Sequence, residues 1–196
     1  MLLLSLIMAY ISGMTLNREF RSVDERFGFK LGDEIKTRVN SKPDLIVCDI
    51  ACGTEGTAIS DLTAQYPHLR GIGLDYKLTE EVQTERLRLT RGDLFAVPFE
   101  DAADVTYCAF VLADVTSWDS EEHRTKIAQS IIQIAKSLVP KGVAFIDEAV
   151  FTGSQFNLDF LLEEIERQNP EFSSRFKIAN NPELGLIGNY MIVTRL

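Results

Sequence analysis

The chain has 196 residues, 45% hydrophobic and 25% charged, which is ordinary globular composition and excludes a disordered, collagen-like or low-complexity protein. Lys and Arg number 20 against 29 Asp and Glu, a net charge of −9. A field of that sign repels phosphate backbones and argues against a dedicated nucleic-acid binder, and two histidines, His68 and His123, cannot build a His-rich metal site.

The length suits one domain with a small attachment, large enough to bury roughly 70% of its unfolded surface. The opening MLLLSLIMAYISG is apolar over about half of the ~20 residues that a membrane span needs. It carries neither the basic n-region nor the A-x-A site of a secretory signal. It is expected to be a buried helix or strand, or residues upstream of a true start at Met8 or Met14, of a cytoplasmic protein with no membrane partner. Residues 1–42 hold seven basic side chains (Arg18, Arg21, Arg26, Lys30, Lys36, Arg38, Lys42) and five acids, so the remainder is the more acidic part. Two readings stand here, a solvated helical face and a basic lid over an acidic domain. Cys48, Cys52 and Cys108 are odd in number, form no C-x-x-C and have no histidine beside them in sequence. Reduced thiols packed in a core are expected, which fits the cytosol.

From Pro43 onward, short apolar runs alternate with amphipathic segments, the pattern of an α/β domain with a parallel sheet. LIVCDI (Leu45–Ile50) suits a strand buried on both faces. Thr57–Gln65 follows as a short helix with Ala58, Ile59 and Leu62 on one side and Pro67 beyond its end. Residues 69–74 form a second strand ending at Asp75, Leu87–Arg91 a third, and residues 104–110 a fourth. The clearest helix is 120–138. Ile127, Ile131, Ile134 and Leu138 make one stripe, Ser120 can cap it, Glu121 and Glu122 suit its positive end, and Pro140 with Gly142 terminate it. Residues 143–146 are the fifth strand. A helix at 157–168 carries Leu158, Leu161, Leu162 and Ile165, and strands at 175–179 and 190–194 close the chain as an antiparallel hairpin around NNPELGLIGN.

Function first shows in DIACGTEG, residues 49–56. An acid closes a buried strand, small residues follow and a helix begins, which in a doubly wound sheet is the ligand crevice. Ala51 and Gly53 let a ligand approach the backbone. Asp75 ends the next strand 22 residues after Gly53, at the place where a carboxylate can accept from both hydroxyls of a ribose. Asp93, in RGDLFAVPF, tips the third strand and can accept from an exocyclic amine, with Leu94 and Phe95 as apolar faces for a purine.

With these residues the sequence resembles the class I S-adenosylmethionine-dependent methyltransferases, over residues 43–196. DIACGTEG is similar to the family's glycine-rich loop, GLDY to its ribose-binding acid, GDLF to its adenine-binding acid and SLVPKG to the turn before its fifth strand. The resemblance implies an α/β, doubly wound, seven-stranded, mostly parallel sheet of order 3-2-1-4-5-7-6 with an antiparallel last strand. It divides the chain into an N-terminal helical or lid segment, 1–42, and a Rossmann-like methyltransferase domain, 43–196. It also implies S-adenosylmethionine as cofactor. Asp49, Ala51 and Gly53 would hold its methionine part, Asp75 its ribose, and Asp93 and Leu94 its adenine. Tyr76 would lie beside the adenine, and Phe110 at the fourth strand's tip. Two departures from the family pattern stand out. Glu55 occupies the third glycine position, and the segment between Asp75 and Asp93 leaves room for only a turn or two of helix around residues 79–87.

Methyl transfer from a sulfonium needs in-line positioning, and a base only where the acceptor arrives protonated. Base candidates are Asp114, Asp147 and Glu148, with Trp118 and Phe151 as possible acceptor walls. After the fourth strand stands AFVLADV, unlike the Asn/Asp-Pro-Pro-aromatic motif of base-amine and glutamine methylators. A small-molecule or protein side-chain acceptor is left, with no nucleic acid, no metal and an open oligomeric state. Two further readings stand: a non-catalytic partner protein of this fold, and a nicotinamide-dependent oxidoreductase, for which Ala51, Gly53 and Gly56 fit G-x-G-x-x-G only with its first glycine replaced.

Overall fold

The computed structural model describes residues 37–38, 42–109, 121–147, 158–181 and 186–196. In chain order its elements are β1 (Leu45–Ile50), α1 (Thr57–Gln65), β2 (Leu69–Asp75), β3 (Val82–Gln83), β4 (Leu87–Arg91), β5 (Ala103–Ala109), α2 (Glu121–Lys136), β6 (Leu138–Asp147), α3 (Leu158–Gln168), β7 (Phe172–Asn181) and β8 (Leu186–Arg195). The N-terminal lid segment and the capping residue Ser120 fall outside the described residues.

One sheet runs in the order β3-β4-β2-β1-β5-β6-β8-β7. β1 pairs in parallel with β2 on one side and β5 on the other, β4 and β6 extend the parallel run, and β8 lies antiparallel to both β6 and β7. Without β3, this is the order and the reversed last strand that the sequence led us to expect. Side-chain alternation along β1 explains its apolar run. Leu45 and Val47 enter a core shared with Ile59 and Leu62 of α1, while Cys48 and Ile50 enter the opposite core, built with Ile127, Ile131 and Ile134 of α2 and Leu161 and Ile165 of α3. A strand covered on both faces has no polar side to show.

The structure differs from expectation in three places. Residues 79–87 form no helix. The chain turns at 84–87, where the Thr84 amide donates to the Leu87 carbonyl (2.8 Å) and its hydroxyl accepts from the Leu87 amide (2.9 Å). Val82 and Gln83 then fold back on β4 as an eighth, antiparallel strand, and Glu81 secures it by accepting from the Arg91 amide (2.8 Å). With only Val82 and Leu87 as apolar residues, the segment has no helical stripe to bury.

The strand expected at 143–146 begins at Leu138 and runs through the Pro140 and Gly142 that the sequence suggested as a helix stop. Ala103 pairs with Leu138, but Val105 pairs with Val143, so the intervening β6 residues bulge, with Lys141 in a left-handed conformation (φ 68°). Pro140 sits in this slip, where no ladder N–H is demanded of it. The final hairpin is also longer than expected. Its ladder runs from Phe172↔Arg195 to Asn181↔Leu186, taking in much of the turn-rich stretch, because cross-strand pairing overrides the weak strand preference of Asn and Gly.

At the amino ends of the strands, the buried Asp104 carboxylate accepts from the Ile46 amide (2.9 Å) and from Lys42 Nζ (2.5 Å), fastening β5 to β1 and to the chain entering β1. The carboxyl ends of β1, β2 and β4 lie side by side at the other edge.

Candidate cofactor site

Past Ile50 the backbone leaves the sheet through left-handed residues: Ala51 at φ 66°, Gly53 at φ 81° and Gly56 at φ 59°. The amides of Ala51 and Cys52 both donate to the Leu74 carbonyl (2.6 and 3.1 Å), turning the loop over the end of β2. Gly56 precedes the first residue of α1. A Cβ there would stand 2.7 Å from Leu89 Cδ2, so this glycine is required both by its backbone and by β4 packed against it.

The neighbouring loops are laced to this one. The Gly53 amide donates to Asp75 Oδ2 (2.8 Å), and the Lys77 amide donates to Asp75 Oδ1 (2.7 Å). The Thr79 amide and hydroxyl both donate to the Thr54 carbonyl (2.9 and 2.8 Å). The Gly92 amide donates to the Asp75 carbonyl (3.3 Å), joining the loop after β4 to the same point. Asp75 is thus the node of the rim. Its side chain is 9% exposed, and each carboxylate oxygen accepts one backbone N–H, which leaves acceptor capacity on both.

Tyr76 stands out from the rim, 63% exposed, with Lys77 Nζ 4.9 Å from its ring centroid. Asp93 is exposed and closes a tight turn, accepting at Oδ1 from the Phe95 amide (2.9 Å) and at its carbonyl from the Ala96 amide (3.1 Å). Leu94 points into the core with Leu74 and Val97, which leaves Phe95 as the exposed apolar side chain of that turn. Asp49 lies one step inside β1, buried at 4% beneath the loop. The structure therefore brings Asp49, Asp75 and Asp93 to adjacent strand ends. Asp147 ends β6, its backbone paired with Ala109 and Tyr190. Phe110, Asp114, Trp118, Glu148 and Phe151 lie outside the described residues.

Burial first, then the Asp49 charge and the two other thiols, push the Cys48 thiol well above the usual range. Burial first, and then the Asp49 charge, push the Tyr107 phenol up. All three cysteines are buried thiols rather than disulfides, as the sequence suggested.

No protein-family model matches the sequence, and no curated protein matches it either. Solved structures do. Human N-acetylserotonin methyltransferase in complex with SAM superposes with a TM-score of 0.53 at 17% identity, over 89% of this chain and 52% of that one. The antibiotic-resistance methyltransferase Kmr gives 0.56 at 12%, over 84% and 92%. The [4+2]-cyclase SpnF gives 0.58 at 13%, over 91% and 83%. This chain has the class I S-adenosylmethionine-dependent methyltransferase fold.

Within the methyltransferase fold, the laced rim lies at the carboxyl ends of the central strands, where an open α/β sheet holds its ligands. Sequence reasoning missed two of the groups that build it and one residue buried beneath it. Thr54 and Thr79 tie the first two loops through a backbone carbonyl, a role that any hydroxyl residue in a loop conceals. Tyr107 reads as one more apolar strand residue until the pairing of β1 with β5 sets it opposite Asp49.

Proposed function

We propose that this chain is an S-adenosylmethionine-dependent methyltransferase of the cytoplasm whose acceptor is a small molecule or a protein side chain. One observation carries this reading: Asp75, at the tip of β2, is bonded to the Gly53 amide of the small-residue loop, so that a ribose-binding acid and a close-approach loop form one unit. The residues present fit the donor. Left-handed small residues keep side chains out of the crevice, and Asp75 retains lone pairs for a ribose diol.

When bound, the donor supplies a methyl group on a sulfonium with a neutral leaving group. The chain's own contribution is to hold it. Asp49, Ala51 and Gly53 take the methionine part, Asp75 the ribose, and Asp93 the adenine amine, while Tyr76, Phe95 and Phe110 supply apolar surface. Orientation and exclusion of water then do most of what catalysis requires. Asp114, Asp147 and Glu148 are the candidates to take a proton where the acceptor brings one. The net charge of −9 favours an uncharged or cationic acceptor over a nucleic acid.

Calorimetric titration with S-adenosylmethionine and S-adenosylhomocysteine tests this reading. Wild type should bind both and Asp75→Ala neither; unchanged affinity in the variant would remove Asp75 from the site. A second reading, a non-catalytic partner protein of the same fold, is favoured by Glu55 in the glycine-rich loop and by β3 standing where a helix was expected. Absence of binding heat with either ligand supports it.

A further inference from the structure

The chain between β2 and β3 forms no helix, yet two of its residues are firmly held. Leu78 is buried in the core that it shares with Ile59, Leu62 and Leu89. Its carbonyl accepts from Arg91 of β4 through both Nε (3.2 Å) and Nη2 (2.8 Å), the forked grip that a guanidinium otherwise gives a carboxylate. Arg91 is itself fixed by its pairing with Asp75 and by Glu81, which accepts its amide (2.8 Å). From this anchored position Thr79 reaches across 25 residues of chain to the loop after β1. Its amide and its hydroxyl both donate to the Thr54 carbonyl (2.9 and 2.8 Å). A carbonyl oxygen has two lone pairs, and Thr79 takes both. With that oxygen pinned, the planar peptide between Thr54 and Glu55 is held against rotation.

We propose that Thr79 is a positioning residue for donor binding, its hydroxyl acting through the Thr54 carbonyl to hold the loop of residues 51–56 in its donor-ready arrangement. The inference rests on the donor-site reading above. The first half of the loop is tied to β2 directly, by the Ala51 and Cys52 amides on the Leu74 carbonyl and the Gly53 amide on Asp75. Thr54 lies beyond those ties, between Gly53 and Gly56, where two left-handed glycines leave the backbone its greatest freedom. A loop that has to be ordered on binding takes that cost out of the affinity. The apparent dissociation constant rises as the fraction of competent loops falls. The Thr79 hydroxyl bond is exposed, so water can replace it in the fold at little cost to stability. Water does not tie Thr54 to the anchored segment after β2, and the hydroxyl therefore matters more to binding than to folding.

The test is calorimetric titration of wild type, Thr79→Val and Thr79→Ser with S-adenosylhomocysteine, accompanied by urea unfolding and by amide hydrogen exchange of the unliganded proteins over residues 51–56. Thr79→Val keeps the branched shape and the backbone bond to Thr54 but loses the hydroxyl. It should weaken binding about five-fold, the worth of one net hydrogen bond, while the urea midpoint stays near that of wild type and exchange in the loop quickens. Thr79→Ser should restore both affinity and exchange. Equal affinity in wild type and Thr79→Val would overturn the proposal and leave the donor site standing. A loss that Thr79→Ser does not repair, or one matched by a fall in the urea midpoint, marks a merely structural role and overturns it too. If wild type binds no donor, the donor-site reading fails and the positioning role with it. Unchanged exchange in Thr79→Val would show that the hydroxyl does not order the loop, whatever the ligand.

Discussion

Asp75 accepts the Gly53 amide at 2.8 Å across 22 residues of chain, so the acid at the tip of β2 is also the brace of the loop that follows β1. The same carboxylate caps the turn that follows it, through the Lys77 amide. Asp75→Ala therefore leaves two backbone donors short of their acceptor at a part-buried rim. It should cost about 1–3 kcal/mol of stability besides donor affinity. Asp75→Asn, which keeps one acceptor oxygen, should fall between wild type and Ala in urea melts. Wild-type stability in Asp75→Ala would show that the brace contributes nothing.

Ala51 holds a left-handed conformation that a Cβ disfavours, whereas Gly56 holds one that its surroundings demand. Ala51→Gly should therefore leave stability unchanged or raise it by up to about 1 kcal/mol, since relief of strain opposes the greater freedom of the unfolded chain. Gly56→Ala should destabilise by about 1–3 kcal/mol, through both its φ and the 2.7 Å approach of its Cβ to Leu89. Thermal melts of the two variants should move apart; movement together would mean that the loop relaxes as a unit.

Asp104 and Lys42 should respond unequally although they form one ion pair. The carboxylate is buried and also holds the Ile46 amide, whereas the lysine side chain is 52% exposed. Asp104→Ala removes the acceptor of a backbone N–H and leaves the ammonium without its partner, an expected loss of about 2–3 kcal/mol. Lys42→Met should cost less than about 1 kcal/mol, as expected for a half-exposed pair. Equal losses in denaturant titrations would place the weight of the interaction on the salt bridge instead.

How much of this could be read from the sequence follows from the range of the forces involved. β1, α1 and the acid-tipped ends of β2 and β4 were legible because burial on both faces and strand-end chemistry leave local marks: LIVCDI, Asp75 and Asp93. β3 was not, because Val82 and Gln83 become a strand only through the turn at Thr84 and the partner β4 supplies. The start of β6 was hidden by Pro140 and Gly142, which as local signals end a helix and in the fold occupy a bulge opposite β5. The rim acids were visible as a set, but not their lacing. Gly53 to Asp75 and Thr79 to Thr54 are contacts between loops, and pairing register, which sets Tyr107 beside Asp49, is written in no single segment.

The buried thiol and phenol beside Asp49 set an alkaline limit on the fold. Both have folded-state pKa values raised above their ordinary ones, Cys48 and Tyr107 alike chiefly by burial. Below the ordinary thiol value of about 8.5, both are protonated in folded and unfolded chain, so they place no slope on stability. Above it the unfolded chain releases the Cys48 proton while the native state keeps it, and above about 10 the same holds for Tyr107. Unfolding is then favoured increasingly with pH until the raised folded values are passed. The urea midpoint should accordingly be flat from pH 7 to about 8.5 as far as these two groups are concerned, and fall beyond it. Cys48→Ala should make the first part of that fall shallower while lowering stability at neutral pH through the small cavity it leaves. An unchanged alkaline slope in Cys48→Ala would show that this thiol does not govern it.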